Sequence, residues 1–295
     1  MENVRMITDS LSDIPADRIG DYELEVIPAP VYVDSVPVLE NIDCPSEELL
    51  RSLRENKRLR VGHIPAAIYL DRFKLAFSHQ YHRVIVVTPS VNFSGMYRAA
   101  CEARDMFFSQ TAEAESVMGI DIVDSGSYSL GYGFPVLRAC GMIQNGATGS
   151  EVLKFLTEAF EQTALYVTTF SMRGMFSSGI FEALRLLTIQ VTKSFPVCVI
   201  RRGEITALDS DWGEQRTYEG FIEYCRKALA DGAHPYVIFY ADLEERARKL
   251  GSILHSASRR EPELYGRVSA ATAVSMGTDC IGMVQFGCGM AEPQA

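Results

Sequence analysis

The feature that most constrains the fold is a repeated order of apolar strand, polar loop and helix in the first half of the chain. Residues 84–87 are an uninterrupted run of Val, Ile, Val and Val, which is typical of a strand buried on both faces. A helix is predicted to follow over 94–106. The strand predicted at 120–123 is followed by a helix over about 128–143, which Gly146 ends. This alternation predicts an α/β fold with a mostly parallel sheet.

Shorter segments before this run fit the same pattern. A strand is predicted at 4–7, and a second strand over 25–33 is interrupted by Pro28 and Pro30, which suits the edge of a sheet. A helix is predicted to open at Pro45, because acidic residues fill the turn that follows it.

From about residue 150 the pattern changes. A helix over 150–162, capped by Ser150, is predicted to lead to a strand at 165–169 and to a connection over 171–179 rich in Gly, Ser and Met. The remaining predicted elements are a hairpin of 195–200 and 204–208 around Gly203, helices over 215–230 and 243–256, and strands over 236–240, 267–270 and 280–286. A hairpin combined with helices predicts an α+β second domain, so we divide the chain into residues 1–155 and 156–295.

The charge balance excludes one class of function. The chain has 28 Lys and Arg residues against 38 Asp and Glu, a formal net charge of −10. A protein that neutralises phosphates needs a basic surface, and the nearest approach to one is the short segment with Lys57, Arg58 and Arg60. No nucleic-acid partner is therefore expected.

Composition and hydropathy predict a cytoplasmic globular protein. Hydrophobic residues make up 47% of the chain and charged residues 22%, values typical of a folded soluble protein. No apolar run approaches the roughly 18–20 residues that span a bilayer, and the first residues lack the pattern of a signal peptide. Seven cysteines and five histidines form no pair at metal-ligand spacing, so reduced thiols are expected, with no metal, disulfide framework or cofactor.

Candidate site residues follow the predicted strands. Ligands of a parallel sheet bind at the carboxyl ends of its strands, where this chain carries Thr8, Ser10, Ser94 and Ser125. Ser94 and Gly95 open a helix, and the free amides and dipole at such a start favour an anion such as a carboxylate or phosphate. Helix capping and turn formation explain the same residues without any ligand, and both explanations stay open at this point.

Four motifs, taken in order, resemble those of the DegV family along essentially the whole chain. They are ITDSLSDIP at 7–15, FSGMYRAA at 93–100, DS at 124–125 with SLGYG at 129–133, and IG at 281–282 with GCG at 287–289. The resemblance implies a bacterial two-domain α/β protein that holds a long-chain fatty acid in a tunnel between its domains. It also implies a carrier, not an enzyme, that presents the acyl carboxylate to a fatty acid kinase.

The resemblance also assigns individual positions. The carboxylate-binding serine of the family falls on Ser94, and its second ligand, a threonine, falls on Gly62, so that this hydroxyl is missing. The Arg and the His of two further family motifs fall on Phe176 and Val284. We expect His63, beside Gly62, to supply a replacement donor, and we expect transfer to a kinase to be weak or absent. The side chains expected to form an apolar lining are Tyr32, Phe93, Phe134, Phe170, Met172, Met175 and Phe176.

Two other functions are weighed against this one. A hydrolase would combine Ser94 with Asp9 or Asp124 and a histidine, but the chain has no GxSxG motif and its histidines lie on unrelated segments. A binding protein for a different apolar or anionic ligand, with its pocket altered at Gly62, Phe176 and Val284, is the stronger alternative. The identity of an extracted ligand separates it from a fatty acid carrier.

Overall fold

The first half of the chain folds around a parallel sheet. The computed structural model describes residues 2–55, 57–170 and 194–287. The strands of this sheet are β1 (Val4–Asp9), β2 (Leu24–Ile27), β6 (Arg83–Thr88) and β7 (Gly119–Asp124). Their order is β2-β1-β6-β7, and every neighbouring pair is parallel. The predicted α/β architecture of this half is confirmed.

The centre of this sheet is its most buried part. The four residues of β6 from Val84 to Val87 are fully buried, because helices cover the sheet. These helices are α3 (Ala66–Ser78), α4 (Met96–Gln110), α5 (Leu130–Gln144) and α6 (Gly149–Glu161). Each of α4, α5 and α6 contacts β6, and α3 packs on α4. Full burial of a valine side chain contributes about 1.5–3 kcal/mol, so this strand anchors the sheet.

The second half is organised by a mixed sheet of six strands. Its strands are β8 (Ala164–Thr169), β9 (Ser194–Arg201), β10 (Glu204–Trp212), β11 (Tyr236–Tyr240), β12 (Leu264–Arg267) and β13 (Cys280–Gln285). The order is β10-β9-β8-β13-β11-β12, and only β11 and β12 pair in parallel. Its helices are α7 (Glu214–Ala228), α8 (Glu244–Ser258) and α9 (Ala270–Met276). The predicted α+β character is confirmed, and so is the hairpin, whose turn residues Arg202 and Gly203 have φ of 49° and 77°.

A third, small sheet corrects one prediction. The segment 25–33, predicted as one interrupted strand, is divided between two sheets, because Pro28 lies where β2 ends and β3 (Pro30–Val33) begins. Strand β3 pairs antiparallel with both β4 (Val36–Leu39) and β5 (Leu59–Val61). The helices before and within this region are α1 (Ala16–Ile19) and α2 (Ser46–Arg54).

Two further predictions about local structure are wrong. The strand predicted over 267–270 ends at Arg267, and Ser269 caps α9 through a hydrogen bond that its Oγ accepts from Thr272 N at 3.1 Å. Helix α6 is capped by Thr148 and not by Ser150, since Thr148 and Glu151 form a capping box. The connection predicted over 171–179, with Met172, Met175 and Phe176, and the final GCG motif beyond Gly287 lie outside the described residues.

The domain division expected between residues 155 and 156 falls inside α6 and stays a prediction. The two halves contact each other at the start of α9, where Asp13 Oδ1 accepts a hydrogen bond from Ser269 N at 2.8 Å. A surface network of ion pairs adds to this contact, since Arg54 of α2 binds Asp242 at 2.7 Å. The position of the mixed sheet relative to the first half is therefore held by polar as well as apolar contacts.

Across the described ranges, no helix combines the length and the apolar character needed to cross a membrane. The same part of the chain contains no group of three or more His, Cys, Asp or Glu side chains placed to hold a metal ion. The cysteines described there are free thiols; they are Cys44, Cys101, Cys140, Cys198, Cys225 and Cys280.

Candidate functional site

The loop between β6 and α4 carries the main candidate residue. The Oγ of Ser94 accepts a hydrogen bond from Met96 N at 3.3 Å, and Ser94 N donates to Ser90 O at 3.0 Å. Helix α4 begins at Met96, and its cap residue Gly95 has no side chain, so the Ser94 Oγ is the acceptor for the first amide of the helix. The Ser94 hydroxyl therefore lies at a helix start whose first amides favour an anion, and among the described residues no acceptor takes its hydrogen.

Neighbouring loops set the position of Ser94. Ser90 N donates to Ser127 O at 2.9 Å, and Val91 N donates to the Oδ1 of Asp124 at 3.2 Å. Because Asp124 ends β7 and Ser127 follows it, the loop after β6 is fixed by the end of the adjacent parallel strand and the loop after it. This is the carboxyl edge at which the sequence predicts a ligand.

The structure places His63, the residue after Gly62, beside Gly95, the residue after Ser94. A Cβ built on Gly95 would lie 3.5 Å from Cγ of His63, so the imidazole packs against the start of α4. His63 is exposed and Gly62 is buried. The loop between β5 and α3 thus forms one wall of the candidate site, although the two residues are more than thirty positions from Ser94 in sequence.

Tyr32 of β3 fills the space that a side chain at position 62 would need. A Cβ built on Gly62 would lie 2.6 Å from Cε2 of Tyr32 and 3.1 Å from Cγ of Pro30, closer than real Cβ contacts. The sequence suggests Tyr32 only as one of several apolar lining residues. Its pairing with Gly62 depends on the small antiparallel sheet, which no local pattern predicts.

The other predicted polar residues make internal hydrogen bonds. Thr8 Oγ1 donates to Val87 O at 3.0 Å, and Ser10 Oγ accepts from Ala29 N at 2.9 Å. Ser125 Oγ accepts from Ser127 N at 3.1 Å. All three residues lie at the carboxyl ends of β1 and β7, and these bonds hold strands and turns together. Their roles as ligand contacts stay predictions.

Comparison with known proteins identifies the family. A family model described as "Uncharacterised protein, DegV family" matches residues 3–286. The chain belongs to the DegV family. A DegV domain-containing protein of Caldanaerobacter subterraneus is 25% identical over 285 residues, which are 96% of this chain and 98% of the relative.

Solved structures of DegV proteins have the same fold. A protein of Eubacterium ventriosum, described as a stearic acid-binding protein, has a TM-score of 0.86 at 15% identity and covers 98% of this chain and 99% of its own. A DegV family protein of Thermus thermophilus, described by its fatty acid binding, has a TM-score of 0.82 at 19% identity, with 97% and 99% covered. These likenesses establish the fold as that of the two-domain DegV proteins.

This DegV chain also contains a buried acidic pair, Asp9 and Asp13, of which the sequence suggests only Asp9, as a carboxylate of the hydrolase alternative. Asp9 accepts hydrogen bonds from Leu11 N at 3.0 Å and from the hydroxyl of Tyr132 at 2.8 Å. Asp13 accepts from Ser269 N and from the hydroxyl of Ser129. Burial raises the pKa of each carboxyl group to about 7. The one available signal in the sequence is the unusual density of Asp and Ser directly after β1.

The tip of the β9–β10 hairpin contacts the loops at the carboxyl edge of the parallel sheet. Gly203 N donates to Gly126 O at 2.6 Å, and the Nδ2 of Asn92 donates to Gly203 O at 3.0 Å. Gly126 has φ of 55°, and a Cβ built on it would lie 3.0 Å from Gly203 N. The mixed sheet therefore contacts the loop that carries Ser94. The contact is made at Asn92, two residues before Ser94.

Val284 does not lie at this edge. It is fully buried inside β13, opposite Leu165 and Val237. Gln285, the last residue of the strand, lines an open cleft of about 730 Å³ together with Arg201, Arg202 and Gly287. A polar side chain at position 284 would be enclosed in apolar core, so position 284 offers nothing to a ligand or a partner.

Proposed function

We propose that this DegV protein binds a long-chain fatty acid and holds its carboxylate at the start of α4. The observation that carries the proposal is the position of the Ser94 hydroxyl at the start of α4, where its Oγ accepts from Met96 N. This start lies on the carboxyl edge of a parallel sheet, and the His63 ring packs beside it on Gly95. Backbone amides and a hydroxyl bind a carboxylate without any basic side chain. The descriptions of the solved relatives as stearic acid- and fatty acid-binding proteins support the same ligand class.

The acyl chain, in this proposal, runs in a tunnel between the two domains. Phe134 of α5 stacks with Phe286 beyond β13 at 5.1 Å between ring centroids, so aromatic side chains from both halves meet. Each buried CH₂ group contributes about 0.8 kcal/mol. A hydrogen bond to a charged group contributes about 1.5–3 kcal/mol. Burial of a long acyl chain therefore offsets the loss of one hydrogen bond to the head group.

We further propose a cytoplasmic carrier without catalytic activity of its own. Its partner would be a fatty acid kinase, to which the exposed end of the site presents the carboxylate. The absence of a side chain at Gly62 favours a reduced capacity for this transfer. It also favours the alternative that the chain binds a different apolar or anionic ligand.

The experiment is ligand extraction. The protein is purified without added lipid and denatured, and the small molecule released is identified by mass spectrometry. The Ser94→Ala variant is treated in the same way. Ser109→Ala is the matched control, because Ser109 lies on the last turn of the same helix and its Oγ donates to Met106 O within that turn. A fatty acid depleted in Ser94→Ala and retained in Ser109→Ala is the expected result. An empty protein or another molecule would contradict the proposal.

A further inference from the structure

Tyr32 stands in a defined relation to the head-group end of the site. It lies directly opposite Arg60 in the β3–β5 ladder, and the Arg60 guanidinium stacks over its ring at 4.2 Å from the centroid. Such a cation–π contact holds the ring in one orientation. Gly62 also lies next to Tyr32, because Gly62 N donates to Pro30 O at 2.7 Å and extends the ladder by one residue.

The end of the ring that approaches Gly62 is the end with the hydroxyl. The nearest ring atom to a Cβ built on Gly62 is Cε2, at 2.6 Å, while Cδ2 is 3.3 Å away. Cε2 is bonded to the carbon that carries the phenol oxygen. Within residues 2–55, 57–170 and 194–287, that phenol hydroxyl has no hydrogen-bond partner, and Tyr32 is half-buried.

These contacts connect Tyr32 to Ser94 through a short chain of neighbours. Tyr32 touches Gly62, the next residue is His63, and the His63 ring packs on Gly95, which adjoins Ser94. The Tyr32 ring occupies the space that a side chain at position 62 would need. Among the described residues, Tyr32 and His63 are the two polar side chains that these contacts place on this wall.

We propose that Tyr32 is a specificity-determining residue of this site and that its phenol hydroxyl donates a hydrogen bond to the ligand carboxylate. This inference rests on the proposed fatty acid function and names the group that takes the place of a side chain at position 62. Arg60 keeps the phenol in position and adds positive charge near the head group. The site then selects a free acid over a neutral ester of the same chain.

The first test removes only the hydroxyl. Delipidated wild type and Tyr32→Phe are titrated with stearic acid and with its methyl ester. Tyr22→Phe is the matched control, since Tyr22 is also half-buried but lines a cleft at the opposite end of β1 with Val4 and Met6. We expect Tyr32→Phe to bind the acid roughly tenfold or more weakly, as for one lost bond to a charged group. Binding of the ester should be unchanged, and Tyr22→Phe should match the wild type.

The second test moves the hydroxyl. Tyr32→Ala clears the space over Gly62, and Gly62→Ser in that background returns a hydroxyl from the opposite strand. The double variant should regain a preference for acid over ester that Tyr32→Ala alone has lost. An acid-to-ester preference unchanged in Tyr32→Phe would overturn the inference and leave fatty acid binding intact. A wild type that binds neither probe would overturn both proposals.

Discussion

Glu40 accepts a hydrogen bond from the backbone amide of Ala270 at 2.7 Å, across 230 positions of sequence. Its second oxygen accepts from Ala271 N at 3.2 Å, and Glu40 is only 8% exposed. The first amides of α9 are thus satisfied by a carboxylate from the other half of the chain, in a geometry that also suits the helix dipole. One side chain therefore joins the small antiparallel sheet to the region of the mixed sheet.

Removing this carboxylate should destabilise the protein. In Glu40→Ala two buried amides lose their acceptor, which costs about 1–3 kcal/mol for each unsatisfied group. In urea unfolding we expect a clear fall in the midpoint concentration, with no change in the dependence of the unfolding free energy on urea concentration. Glu48→Ala, at an exposed position of α2, is the control and should unfold close to the wild type. Equal midpoints for the two variants would show that the contact contributes nothing.

The buried acid Asp9 should make stability depend on pH. Its pKa is raised from 3.8 to about 7 in the folded state by burial, so between these values the folded protein binds more protons than the unfolded chain. Stability from this group is greatest at low pH and is lost as the pH rises towards 7. Relative to Asp9→Asn, the free energy of unfolding of the wild type should fall by up to roughly 1.4 kcal/mol per pH unit between these two pKa values.

Chemical unfolding at intervals from pH 4.5 to pH 8 checks this expectation. The free energy of unfolding of the wild type minus that of Asp9→Asn should decrease as the pH rises. Above about pH 7 this difference should become constant. Asp17→Asn, at an exposed position of α1, should run parallel to the wild type. A constant difference between wild type and Asp9→Asn at every pH would refute the assignment of a raised pKa to Asp9.

Contact between the hairpin tip and the Gly126 loop should matter for binding as well as for folding. Gly126→Ala places a Cβ at 3.0 Å from Gly203 N and 3.1 Å from the Cα of Arg202, so the backbone must shift. We expect about 1–3 kcal/mol of destabilisation and weaker fatty acid binding, because the Ser94 loop contacts the same tip. Gly146→Ala is matched for positive φ, at 91°, but has no atom within 4 Å. Both variants are measured by chemical unfolding and by ligand titration. An effect seen in Gly126→Ala but not in Gly146→Ala comes from the contact with the hairpin tip and not from the positive φ alone.

His63 should contribute to head-group binding if it supplies a donor there. The His63→Ala change removes the ring that packs on Gly95, and we expect roughly a tenfold loss of affinity for stearic acid. His79→Ala, at an exposed position after α3, is the control. Titration of the delipidated proteins measures the effect. Unchanged affinity in His63→Ala would leave Tyr32 and Ser94 as the side chains that bind the carboxylate.

Transfer to a kinase should be weak. Gly62 carries no side chain, so it offers no polar group to a partner or to an exposed carboxylate. With a cognate fatty acid kinase, ATP and the loaded protein, we expect little or no acyl phosphate. The assay is run beside a carrier known to be active with that kinase. Turnover comparable to that carrier would refute the prediction.

Much of the fold follows from local sequence patterns. The β-branched run of β6, the turn at Gly203 and the alternation of strands with helices are all visible in the chain and are confirmed in the structure. The family is also recognisable from its ordered motifs, because they are short, dense and spread over the whole length. The errors occur where a local signal competes with a tertiary one. Pro28 marks a change of sheet and not a gap within one strand, and Ser269 starts a helix capped by its own side chain.

What the sequence by itself determines is therefore the element pattern, the fold class and the candidate status of Ser94. Only the tertiary structure decides which distant residues share its site. The ring of Tyr32 covers Gly62, the imidazole of His63 lies on Gly95, and Asp13 holds Ser269, although nothing in the local sequence relates these positions. The physical reason is that periodicity and caps are properties of neighbouring residues, whereas these contacts depend on how separate sheets pack, which is set by the summed burial of the whole chain.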